Sequence, residues 1–184
     1  MSDDTVAQHH SMSPRSLNLA VMTVSDTRTL ADDTSGALII EIAEGAGHHV
    51  VEREIVPDEP DRMRPLFAAY SRRPDLHAVL VTGGTGISAR DQTFETVSSL
   101  LTKPLPGYGE LFRMLSYTEI GPACILSRAI GGLMDQLAIL VMPGSTAAVK
   151  LAMNKIIIPE LPHIVREALR HRGEGASEAR QLPQ

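Results

Sequence analysis

The chain has 184 residues, 43% apolar and 21% charged, which suits a single domain with a full core better than two. Its 17 Lys and Arg against 22 Asp and Glu leave a formal charge of −5, and aromatics make up only 3% with no Trp, so nucleic acid is a poor partner. One cysteine, Cys124, excludes an internal disulfide and fits a reducing cytoplasm, and neither a signal-peptide core nor a membrane span is expected from the apolar stretches.

Residues 1–15 are small and polar and read as a disordered arm, with His9 and His10 a solvated pair rather than a metal site. Residues 17–25 form a continuous apolar run, the pattern of a strand covered on both faces. Asp33-Thr34-Ser35 offers N-caps for a helix over residues 36–46, and Gly47 stops it. Residues 48–56 read as a second strand, after which Pro57-Asp58-Glu59-Pro60 turns into a helix near 61–72.

The third strand is 77–82, and Asp91 or Thr93 caps a helix that runs to about Leu101. Residues 103–107 make a rigid Pro-rich loop before a helix over 109–118. Runs at 123–133 and 136–142 look like two strands joined at Met134-Asp135, which makes Cys124 a buried strand thiol. A helix follows from Ser145 to about Lys155, and Pro159 separates it from a last helix ending near Arg172, with His163 and His171 on its surface. Residues 173–184 read as a disordered tail, leaving 16–172 as the one domain.

Strand–helix alternation over the first hundred residues predicts βαβ crossovers, hence an α/β fold with a mostly parallel sheet and helices on both faces. Ligands in such folds sit beyond the carboxyl ends of the strands. The segments at 25–28, 57–59, 82–91 and 143–146 should therefore share one rim.

The most informative of them is Thr82-Gly83-Gly84-Thr85-Gly86, directly after a buried strand. Glycine lets the backbone turn left-handed and lets a ligand approach closely, and successive N–H groups can converge on an anion. Arg90 could fork onto phosphate and Asp91 could hold a divalent cation. The loop lacks the Gly-Lys-Ser/Thr of a P-loop, and it offers only the weaker alanine form of the dinucleotide pattern with no acidic residue placed to read a ribose.

Around that rim lie Ser25, Asp26, Arg28, Asp58 and Glu59, with Pro143-Gly144-Ser145 ahead of a helix whose N–H groups would face an anion. Carboxylates beside a phosphate cradle make sense when a cation neutralises both, as Mg²⁺ does with one or two carboxylates and substrate phosphates. Nucleotidyl or phosphoryl transfer suits the set. Each residue also has a plainer role. Asp26 reads equally as a residue bonding its own turn, and Asp58 equally as a helix cap. Asp91 and Ser145 are natural caps, and Glu110 in isolation fits a first-turn helix glutamate. Arg128, in a β-like run after Ser127, calls for an anionic partner.

Six motifs occur together and in order: Thr23-Val24-Ser25-Asp26-Thr27-Arg28, Asp32-Asp33-Thr34-Ser35-Gly36, Thr82-Gly83-Gly84-Thr85-Gly86 with Asp91, Pro106-Gly107-Tyr108-Gly109-Glu110, Ser127-Arg128-Ala129 and Met142-Pro143-Gly144-Ser145. The set resembles the molybdopterin-binding family, its MoaB branch most closely, with MogA and the gephyrin G domain as relatives, over roughly residues 16–170. The resemblance implies a three-layer α/β/α sandwich with an antiparallel strand or hairpin in the C-terminal half. It also implies a cytoplasmic role in molybdenum cofactor biosynthesis.

By the same resemblance the reaction is Mg²⁺- and ATP-dependent adenylylation of molybdopterin with release of pyrophosphate. Asp58 and Asp91 would be the catalytic, cation-holding aspartates. Thr82, Gly83, Gly84, Thr85, Gly86, Ser25, Asp26, Glu110, Ser127, Arg128, Pro143, Gly144 and Ser145 would bind pterin or nucleotide. A trimer or hexamer is implied, with Phe112, Leu115 and the 123–142 strands in its contacts, and handover of product to other molybdenum cofactor enzymes. Met142-Pro143-Gly144-Ser145-Thr146 departs from the MogA-type turn, so a non-catalytic molybdopterin-binding or carrier protein is the alternative. A nicotinamide or flavin oxidoreductase ranks third.

Overall fold

A computed structural model describes Pro14 and residues 16–170. The expected arm and tail, with His9, His10 and His171, lie outside the described residues. Six strands form one sheet in the order β2-β1-β3-β6-β5-β4. They are β1 (Asn18–Val24), β2 (His49–Val56), β3 (Ala78–Thr82), β4 (Lys103–Pro104), β5 (Ile130–Met134) and β6 (Leu137–Met142). Neighbours β2, β1, β3 and β6 are parallel, and β5 runs antiparallel to both β6 and β4.

The central strands β1, β3 and β6 are buried almost throughout because helices cover both of their faces, as their unbroken apolar runs require. One layer holds α1 (Thr34–Gly45), α4 (Pro106–Ile120), α5 (Thr146–Ala152) and α6 (Ile158–Leu169). These pack Ile39, Phe112, Val149 and Leu161 against Leu19, Leu80 and Leu140. The other layer holds α2 (Pro60–Tyr70) and α3 (Thr93–Leu100), with Met63, Phe67 and Val97 against Met22, Val79, Val81 and Ile139. The α/β/α sandwich is the expected one, and the alternation of β-strand side chains between two faces is what builds its two cores.

Several local expectations change. Residues 121–126 form a 3-10 helix, and β5 begins only at Ile130, so Cys124 is a buried helical thiol. The apolar run there misled because Ile125 and Leu126 are 78% and 55% exposed, so their apolar character does not mark a buried strand. The hairpin itself is present: Met134 pairs with Leu137 across Asp135, whose φ of 57° supplies the left-handed turn. Lys103 and Pro104 form a short edge strand rather than loop, and α4 starts at Pro106, a position where the missing N–H costs nothing. Pro159 does not separate two helices; a π-helical turn, Met153–Ile157, carries α5 straight into α6 and absorbs the lost donor. Phe112 is 1% exposed and belongs to the core, while Leu115 packs against the same core and is only half-buried.

Candidate functional site

Strand register brings all six motifs to one end of the sheet. Val24 lies opposite Val56, Thr23 opposite Thr82, and Thr82 opposite Met142, so the four parallel strands finish together. Because β5 is antiparallel, its first residue Ile130 faces Val141, which delivers Ser127-Arg128-Ala129 to that same end. Leu105 donates its N–H to Gly131 O, and the start of α4 follows it there, carrying Gly107 through Glu110. Four rim segments were expected; the antiparallel strand adds two more. Strands β1 and β3 flank the point where the strand order reverses, the usual ligand crevice of such folds.

A pocket of about 160 Å³ sits in that crevice, lined by Thr23, Ser25, Arg28, Asp33, Ser35, Thr82, Gly83 and Gly144. Asp33 is buried beneath it and caps α1 by accepting from Gly36 N at 2.8 Å. It also accepts from Thr23 Oγ1 at 2.8 Å and Arg53 Nη2 at 3.1 Å, joining β1, α1 and β2. Ser35 Oγ donates to Gly144 O at 2.7 Å and Thr82 Oγ1 to Pro143 O at 3.3 Å, so the turn after β6 is held against the glycine loop. Ser25 Oγ accepts from Thr27 N and Arg28 N, and Ser145 is the expected N-cap, accepting from Ala148 N at 3.2 Å. Thr23, Arg28, Asp33 and Ser35 were legible in the motifs, but their shared pocket required the fold.

Gly83 and Gly84 take φ of 99° and 62°, the left-handed geometry expected of the loop. A Cβ on Gly83 would collide with Val24 O, and one on Gly84 with Thr93 Oγ1 and Asp58 Oδ2. A Cβ on Gly86 would lie 2.5 Å from Asp91 Oδ2. The two aspartates thus approach the glycine loop itself. Asp58 is not the cap of its own helix, since Glu59 takes the N-cap position of α2 without a side-chain bond. Its carboxylate instead accepts from Gln92 N at 3.1 Å and Thr93 Oγ1 at 3.0 Å, where α3 begins. Asp91 caps no helix either: Gln92 is the N-cap of α3, and Asp91 Oδ2 accepts from Ser88 N at 3.0 Å.

Burial raises the Asp58 pKa above its ordinary 3.8, and the charge of nearby Asp91 adds to that rise, against the lowering by the Gln92 and Thr93 hydrogen bonds. A carboxylate kept desolvated next to a second one is costly for folding and is the sort of arrangement functional sites retain. Among the described residues no group of three or more His, Cys, Asp or Glu forms a ready-made metal cage. Two carboxylates beside a glycine loop nonetheless fit Mg²⁺, which commonly takes its other positions from phosphate oxygens and water.

Both arginines are committed to the scaffold. Arg90 does not present a free fork for phosphate; it forks onto Asp26, with Nε 2.8 Å from Oδ2 and Nη2 2.5 Å from Oδ1. Asp26, in turn, bonds across loops rather than within its own turn, accepting from Asp58 N at 3.2 Å and from Arg90. Arg128 finds its anion in Glu95, lies 4.8 Å over the Phe94 ring, and donates to Thr85 O at 2.9 Å and to Gly86 O. Drawing those two carbonyls to one side turns the next N–H groups, those of Gly86 and Ile87, to the other, because each peptide is planar and trans. Phe94 and Glu95 escaped the sequence reading, and Thr93 was read only as a cap, as nothing in a short amphipathic helix marks which residues grip a loop. Glu110 is exposed on α4, and Ser127 is half-buried where the chain enters β5.

The family described as "Probable molybdopterin binding domain" matches residues 20–163, which span the sheet and the whole rim. The chain belongs to that molybdopterin-binding family. It is 51% identical over 169 residues to the molybdenum cofactor biosynthesis protein B of Halalkalibacterium halodurans, covering 91% of this chain and 99% of that one. A crystal structure of a molybdenum cofactor biosynthesis protein B superposes with a TM-score of 0.83 at 48% identity, covering 86% of this chain and 99% of the other. The tungsten cofactor synthesizing protein MoaB from Pyrococcus furiosus superposes with a TM-score of 0.73 at 37% identity, covering 85% and 99%. As a member of this family, the chain places all six of its motifs on one rim.

Proposed function

We propose that the protein acts in molybdenum cofactor biosynthesis, binding molybdopterin and adenylylating it with Mg-ATP. The observation that carries this reading is the approach of Asp58 and Asp91 to Gly84 and Gly86. A site made only to hold an anionic pterin gains nothing from two carboxylates at its phosphate cradle. Asp58 and Asp91 would hold Mg²⁺, which supplies neutralisation of the phosphate charge when bound.

The chain's own part is positioning. The glycine loop offers N–H groups to phosphate oxygens, and the pocket from Thr23 to Gly144 receives the second substrate's anionic end. A phosphate oxygen of molybdopterin then attacks the α-phosphorus of ATP; the bond from that phosphorus to the bridging oxygen breaks, and pyrophosphate leaves with the electron pair. In an assay of pyrophosphate release from ATP with molybdopterin, the wild type turns over and Asp91→Ala loses at least about 10²-fold in rate, as for removal of a preorganised electrostatic group. A wild type that binds the pterin without releasing pyrophosphate leaves a carrier protein instead.

Among the described residues no helix is long and apolar enough to cross a membrane, and the reading places the protein in the cytoplasm, handing its product to other molybdenum cofactor enzymes. Assembly of several copies is part of the same reading. Met114, Tyr117 and Ile120 on α4 and Ile125 and Leu126 beyond it expose apolar surface pointing away from the core. Light scattering should give a trimer or hexamer mass for the wild type, and Met114→Glu with Ile125→Glu should shift it toward the monomer. An unshifted mass would locate the interface elsewhere.

A further inference from the structure

Asp58 is held by its peptide groups as well as by its side chain. Its N–H donates to Asp26 Oδ1 at 3.2 Å, and its carbonyl accepts from Arg90 Nη1 at 2.8 Å. Those two partners are themselves joined by the fork of Arg90 onto Asp26, and Arg90 Nη2 reaches Glu59 Oε1 at 3.5 Å. Three loops meet in this knot: Asp26 follows β1, Asp58 follows β2, and Arg90 closes the glycine loop after β3. The Arg90 and Asp26 side chains are 48% and 40% exposed, so as an ion pair in water they add little to stability. Their geometry is another matter, because a guanidinium can grip two oxygens of one carboxylate and a carbonyl at once, and an ammonium cannot.

We propose that Arg90 and Asp26 are a positioning pair that orients the Asp58 carboxylate toward the cation, rather than groups that bind phosphate or pterin. This rests on the cation-assisted reading above. Groups one step behind a metal ligand, when removed, weaken metal affinity by about 10–100-fold. The pair acts on the carboxylate through its backbone, so the effect belongs to the cation and not to the pterin.

The test measures Mn²⁺ affinity in the presence of ATP by electron paramagnetic resonance, beside pterin affinity by fluorescence quenching and the melting temperature. Arg90→Lys keeps the charge and loses the fork; Asp26→Ala loses the acceptor for Asp58 N; Asp26→Asn keeps it. The expected result is Mn²⁺ affinity down about 10–100-fold in Arg90→Lys and Asp26→Ala, less in Asp26→Asn, with pterin affinity within about twofold of wild type. Unchanged Mn²⁺ affinity overturns the proposal, and so does an equal loss of pterin affinity, which would mark a general loosening of the rim. A wild type that binds Mn²⁺ with ATP but releases no pyrophosphate overturns adenylylation alone, since the pair is still read from the cation. A wild type that binds no Mn²⁺ overturns both.

Discussion

Asp58→Asn should lower pyrophosphate release about 10²–10³-fold while leaving the fold at least as stable as the wild type at neutral pH. The asparagine keeps one oxygen to accept from Gln92 N, and its NH2 can donate to the Thr93 hydroxyl, which turns from donor to acceptor, so the start of α3 stays tied to the loop after β2. What it loses is the charge, and with it, on the proposed reading, a ligand for the cation. The stability half of the prediction follows from linkage. Burial first, and then Asp91, raise the folded-state pKa of Asp58 above the ordinary 3.8. The folded protein therefore holds this proton more tightly than the unfolded chain does. Stability contributed by the protonated form is present below 3.8 and is lost as pH rises through the raised folded value.

At neutral pH the ionised carboxylate is thus a cost to the fold that Asn does not carry. Calorimetric melts of both proteins at pH 4 and pH 7 check this: the variant should gain on the wild type as pH rises. On the proposed cation role, the same raised pKa should make activity fall in mild acid at a higher pH than an ordinary aspartate would, because the cation would compete with a proton. A variant that melts well below wild type at pH 7 would mean that Asp58 is a structural hydrogen-bonding group first.

Gly83→Ala should destabilise the protein by about 3 kcal/mol, the upper end for an L-residue forced into the left-handed region. For a domain of this size that is a loss of roughly 6–12 °C in melting temperature. The φ of 99° is one part of the cost, and the collision of the new Cβ with Val24 O, a backbone atom of the adjacent central strand, is the other. Neither can be relieved by a side-chain rotation. Gly83 N also donates to Met142 O at 3.2 Å, and its Cα would lie 3.3 Å from a Cβ on Gly144, so a shift would open the crevice on both sides. Gly107→Ala is the control: nothing lies within 4 Å of its Cβ position, and the change should stay within about 0.5 kcal/mol. Thermal melts that show the two alanines to be equivalent would remove the argument that the loop is locked.

Much of this was already legible in the residues. Continuous apolar runs in β1, β3 and β6 announce strands covered on both faces, because only residues sheltered from water on two sides can all be apolar. Asp33 as a cap, Gly47 as a stop and the Gly83-Gly84 turn follow from short-range sterics and hydrogen bonding, which act within a few residues. Four rim loops follow from parallel topology alone. The family likewise rests on motif order, which needs no coordinates.

Other features had to wait for the tertiary structure. Residues 123–126 look like the start of a strand until it is known that no neighbouring strand takes them, since strand formation needs a partner for its backbone groups and a helical turn does not. Whether Asp58 capped its own helix or reached another could not be read from Pro-Asp-Glu-Pro, because the competing donors, Gln92 N and Thr93 Oγ1, lie more than thirty residues away. Arg90 and Arg128 likewise carry no local sign of their partners, for a long flexible cation takes whichever carboxylate and carbonyl oxygens the fold brings within reach. Local chemistry determined which elements form and where they turn; the packing of loops from distant parts of the chain decided which charges meet.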